Sequence, residues 1–132
     1  MVHELMRTFA VLILSAVVAS VQAQSYPTKP VRFIVPYSAG TTTDLLARHY
    51  AQKMSETLGQ TFVIENKVGA GGNIAAEFAA RAPADGYTLS FATSSVHATN
   101  PALYGKVPFD PIKDFTHIAL LVAAPNLLAI NP

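Results

Sequence analysis

The side chains able to do chemistry fall in three short segments. These are Tyr37-Ser38-Ala39-Gly40-Thr41-Thr42, Asn66-Lys67-Val68-Gly69-Ala70-Gly71-Gly72, and Thr93-Ser94-Ser95 with His97. Hydroxyls, glycines and small side chains dominate them. Such segments offer hydrogen-bond donors at close range rather than acid–base pairs. Each leads into a stretch with helical character, and free backbone N–H groups at a helix start favour an anion. The chemistry this suits is the holding of a carboxylate or a phosphate. Thr41 has the spacing of an N-cap with Asp44 at N3. Ordinary helix starts show the same spacing, so the motif alone does not make a site. Asp44 would repel an anion and is not expected to touch one.

Other chemistries find little support. Gly69-Ala70-Gly71-Gly72 is not G-x-G-x-x-G, and Lys67 precedes the glycines, so no P-loop is present. Glycines for a tight strand-to-helix turn are the plainer account. His97 either donates to a ligand or packs locally. No Ser-x-Gly elbow surrounds Ser94 or Ser95, which leaves a hydrolase triad unsupported. The chain has no cysteine, and His49 and His117 are scattered. No metal site is expected. Glu65 reads as a strand end and Glu77 as a solvated helix face. The formal net charge is +1, with no basic stripe to neutralise phosphates, so no nucleic-acid partner is expected.

These segments must be positioned by the elements around them. Hydrophobic residues make up 51% of the 132-residue chain, but the excess sits in Met1–Ala23. There Arg7 precedes the apolar run Phe9–Val18, and small residues lead to Val21-Gln22-Ala23. This is the pattern of a cleaved export signal, with Gln24 as the first mature residue. Beyond it, Val31–Val35, Thr61–Glu65 and Tyr87–Phe91 read as strands. Asp44–Leu58 has helical spacing with Leu46, Tyr50, Met54 and Leu58 on one face, and Asn73–Arg81 is an alanine-rich helix. A short helix or loop follows around Pro101–Tyr104. Ile118–Ala123 and Leu127–Ile130 each read as a further strand. The alternation predicts an α/β fold, a mostly parallel sheet with flanking helices. In such sheets ligands sit beyond the carboxyl ends of the strands, where residues 36–43, 66–72 and 92–99 would meet.

The residues also match a family pattern, in order from Tyr26 to Pro132. The pieces are Tyr26-Pro-Thr-Lys-Pro-Val-Arg32, Val35-Pro-Tyr-Ser-Ala-Gly40 with Thr43-Asp44, and Leu58-Gly-Gln60. They continue with Glu65-Asn66, Gly69-Ala-Gly-Gly-Asn-Ile74, Ala84-Asp-Gly-Tyr-Thr-Leu89, Thr93-Ser-Ser95 with His97, Asn100-Pro-Ala-Leu-Tyr104 and Pro108-Phe-Asp-Pro-Ile-Lys-Asp-Phe115. Together they resemble the Bug-type receptors, the periplasmic substrate-binding components of tripartite tricarboxylate transporters. The resemblance implies a two-lobed clam-shell of the type II periplasmic-binding kind, of which residues 24–132 would be part of the first lobe. It implies a small carboxylate ligand, no cofactor, and the membrane components of a transporter as partners. It places Tyr37, Ser38, Ala39, Gly40, Thr41, Thr42, Thr93, Ser94, Ser95 and His97 toward the ligand. The family commonly has glycine at position 41 and proline at position 38, so Thr41 and Ser38 are departures. On this resemblance the second lobe is absent, and the chain by itself is expected to bind weakly. A truncated inactive gene product, or an exported hydrolase of carboxylate or phosphate esters, are the competing readings.

Overall fold

A computed structural model describes residues 25–124. Strand β1 (Val31–Val35) is followed by α1 (Thr42–Leu58), β2 (Phe62–Asn66) and a 3-10 turn over Ala70–Gly72. Then come α2 (Asn73–Ala80), β3 (Thr88–Ser90), a π-helical turn over Ser95–Thr99 and α3 (Asn100–Tyr104). The strands form one sheet in the order β2-β1-β3, parallel throughout. This agrees with the expected α/β architecture of a parallel sheet with flanking helices.

Alternation along β1 divides the core. Val31, Phe33 and Val35 face one way and pack with Phe62, Phe91 and the alanines Ala47 and Ala51 of α1. The apolar face of α1 is the expected one at Leu46, Tyr50 and Met54 but not at Leu58, and its closest contacts are made by alanines. Leu46, Tyr50 and Met54 are only partly buried against this core, and Leu58 is 43% exposed. The reason is close approach: Ala47 and Ala51 bring the helix backbone down on the strands, so larger residues flank the contact. On the other face Arg32 lies over the Phe78 ring of α2 at 4.9 Å. Its guanidinium also makes two bonds to Glu65, of 2.6 and 2.8 Å. Glu65, expected as a mere strand end, thus anchors a half-exposed cation on this face of the sheet. An open cavity of about 460 Å³ lies there, lined by Arg32, Ile74, Glu77, Phe78, Arg81 and Pro83. A second cluster of Ala76, Val96 and Phe109 ties α2 to the segment after β3.

Ile118–Ala123 forms no strand, a correction to the sequence reading. Its side chains are exposed, Ile118 by 79% and Leu120 by 85%. Strand propensity supplies no partner for the backbone, and this segment pairs with none of the three strands of the sheet. The Tyr50 hydroxyl donates to the Leu121 carbonyl at 2.8 Å and ties the segment to α1. The expected strand Leu127–Ile130 and the expected signal Met1–Ala23 lie outside the described residues. Among the described residues, no helix is long and apolar enough to cross a membrane.

Candidate functional site

Because the three strands are parallel, their carboxyl ends share one edge, and the loops leaving it meet there. The first loop runs from Pro36 to the start of α1. Thr41 caps the helix as its spacing suggests: it is extended, and its hydroxyl accepts from the Asp44 N–H at 3.4 Å. The same hydroxyl donates to the Ser38 carbonyl at 2.8 Å. Thr41 is thereby committed to holding the loop, which accounts for a hydroxyl at this position without a ligand.

Asp44 is buried, with 1% of its surface exposed. Its carboxylate accepts from Arg48 Nε at 2.9 Å, from the Gly40 N–H at 2.9 Å and from Asn66 Nδ2 at 2.8 Å. These donors, Arg48 first, hold its pKa down at about 2. Asn66 ends β2 beside Val35, and its Nδ2 also donates to the Tyr37 carbonyl at 2.8 Å. The Tyr37 hydroxyl lies 3.4 Å from Thr93 Oγ1 in the third loop. The glycine segment is a spacer between the other two. Ala70–Gly72 packs so tightly that Asn100 Nδ2 bonds the Gly71 carbonyl at 3.1 Å and Gly72 abuts Pro36 and Val96.

Of the residues assigned to the ligand, Ser38, Ala39, Gly40, Thr41, Thr42, Ser94 and Ser95 are exposed, and Tyr37 and Thr93 are half-buried. His97 is not part of this surface. Its ring centroid is 4.9 Å from that of Phe115 and 6.0 Å from that of Phe109. Both ring nitrogens are closed off from solvent and have no hydrogen-bond partner among the described residues. Burial pushes its pKa below the usual histidine value; the Thr93 backbone opposes this in part, and neighbouring His117 adds a smaller lowering. In this structure the ring packs locally, against Phe109 and Phe115. Sequence reasoning missed Asn66 as a structural hub, although Asn66 and Asp44 both stood within the matched pattern.

The arrangement is a rim of donors, with the N-terminus of a long helix at its centre. Residues 46–132 match the family described as the tripartite tricarboxylate transporter family receptor, TctC. The chain belongs to this family. BugT of Bordetella pertussis is 35% identical over 119 residues, which are 89% of this chain and 36% of BugT. Among solved structures, MatC of Rhodopseudomonas palustris with bound malate matches with a TM-score of 0.70 and 43% identity, over 73% of this chain and 33% of MatC. R. palustris Rpa4515 with adipate matches with a TM-score of 0.63 and 49% identity, over 65% of this chain and 29% of that protein. The chain therefore spans about a third of the length of these relatives. The fold of the described residues is accordingly that of part of a periplasmic binding protein.

Proposed function

We propose that this chain supplies one ligand-holding face of a periplasmic receptor for a small carboxylate, in an uptake system of the tripartite tricarboxylate type. The start of α1 carries the reading. At N1 and N2 of this helix, the Thr42 and Thr43 N–H groups have no acceptor within it, and the helix dipole adds positive potential. Exposed Ser38, Ala39 and Gly40 leave room for an anion to approach, and the Thr93–Ser95 loop stands opposite across the Tyr37 contact. Malate and adipate, held by two relatives, share the carboxylate group that such a rim suits. Binding by donors needs no cofactor. An exported hydrolase would need a base beside Ser94 or Ser95, and His97 bonds to neither. The membrane subunits of a tripartite transporter are the partners this reading implies.

The test is a titration of the isotope-labelled chain followed by amide NMR. Malate or adipate in the millimolar range is expected to shift the amides of Ser38–Thr43 and Thr93–Ser95 progressively. The corresponding diamides are expected to leave them in place. Equal responses to acid and diamide, or none to either acid, overturn the reading.

The export signal belongs to the same proposal. Chain recovered from the periplasm is expected to begin at Gln24, as read by N-terminal sequencing. An intact Met1 on that material refutes it.

A further inference from the structure

We infer that Asp44 and Asn66 are the positioning pair of this rim, setting which donors of the first loop face outward and fastening that loop to the third. The pair grips the first loop at two points. Asn66 Nδ2 holds the Tyr37 carbonyl at 2.8 Å, and Asp44 Oδ2 holds the Gly40 N–H at 2.9 Å. The two side chains are bonded to each other at 2.8 Å. Arg48 braces both, with Nε on Asp44 at 2.9 Å and Nη2 at 3.4 Å from Asn66 Oδ1.

The geometry has a directional result. The Gly40 N–H is turned inward to Asp44, while Ser38 and Ala39, between the two grips, stay exposed. Gly40 has a φ of 84°, which lets the chain turn just after the second grip and start the helix at Thr42. Tyr37 carries the constraint onward, because the residue whose carbonyl Asn66 holds places its hydroxyl against Thr93. A carboxylate one turn inside a helix would weaken an anion site nearby. Here the Arg48 guanidinium is bonded to that carboxylate and offsets its charge. Asp44 and Asn66 thus shape the rim without touching what binds there. Holding a loop in its bound form lowers the entropy lost on binding, which is how such a pair would raise affinity.

The consequence for affinity rests on the carboxylate reading above, while the fastening of the loops does not. The experiment therefore has two readouts on the full chain. Without ligand, Asn66→Ala is expected to raise hydrogen exchange at the Gly40 amide by roughly tenfold, while the β1 amide of Phe33 stays protected as in the wild type. With malate as the probe, Asn66→Ala is expected to weaken the dissociation constant by roughly tenfold, with Asn66→Gln recovering part of the loss. Tyr37→Phe, which cuts only the link to Thr93, is expected to move the Thr93 and Ser94 amides and leave Gly40 exchange unchanged. It also serves as the test should Asn66→Ala not fold. Wild-type Gly40 exchange in Asn66→Ala overturns the inference, and so does wild-type malate affinity in that variant. An unmoved Thr93 amide in Tyr37→Phe also counts against it. A wild-type chain that answers neither malate nor adipate sinks the carboxylate reading alone, and Gly40 exchange then decides the fastening.

Discussion

Gly72→Ala is expected to destabilise the chain by about 3 kcal/mol, summing backbone strain and overpacking. Two costs coincide at this glycine. Its φ is 96°, a conformation that L side chains rarely adopt. A Cβ there would also lie 2.6 Å from Val96 Cγ2 and 3.1 Å from Pro36 Cβ. Val96 is buried in the second hydrophobic cluster, and Pro36 is buried at the end of β1, so neither neighbour can swing aside. Something in the backbone must shift, and the segments that touch here are the first and third loops of the rim. Gly40→Ala is the matched control. Its φ is 84°, but nothing lies within 4 Å of the added Cβ. It should therefore show only the backbone cost, about 1 kcal/mol. Urea unfolding followed by circular dichroism compares the two. Equal midpoints for the variants would mean that the close approach at Gly72 contributes nothing.

Asp44→Asn is expected to cost about 2 kcal/mol near neutral pH, as a buried carboxylate with three donors becomes an amide with one acceptor. An amide oxygen in the Oδ2 position can keep Arg48 and the Gly40 N–H, but the NH2 must then face Asn66 Nδ2, itself a donor; the reverse flip turns the NH2 to Arg48 and Gly40. The pH dependence identifies the cause. The Asp44 pKa is lowered from 3.8 to about 2, chiefly by the Arg48 hydrogen bond and then by the Gly40 N–H and Asn66. A depressed folded-state pKa gives stability that is present above the unfolded value and lost as pH falls through the folded one. The wild type should therefore lose the Asp44 contribution between about pH 4 and pH 2, and the gap between wild type and Asp44→Asn should close over that window. Glu65, lowered by its Arg32 bond, adds acid sensitivity of the same sign to both proteins and cancels in the comparison. A gap that stays constant down to pH 2 would assign the loss to packing rather than to charge.

Much of the fold was legible because the signals are local. β-branched runs bounded by Pro36 and Gly59, and the alternation of strand and helix, specify β1, α1 and β2 within a residue or two of their observed limits. The Thr41 cap and the Gly59 stop depend on neighbours in the chain, so spacing finds them. The α1 face was less legible, because leucine spacing cannot reveal that Ala47 and Ala51 make the close contact. Ile118–Ala123 has the composition of a strand and no pairing strand among the described residues, and pairing is a property of neighbours distant in sequence.

The rim divides the same way. Its donors at Ser38–Thr42 and Thr93–Ser95, and the family they point to, are written in the order and type of residues. Three things needed the folded chain. Gly72 stands where two loops touch, Asn66 joins Tyr37 to Asp44 across 29 and 22 residues of sequence, and His97 turns its ring into Phe109 and Phe115. Sequence spacing reports periodicity within one element. Which side chains meet across elements, and which are closed off from solvent, is set only when the sheet brings its loops to one edge.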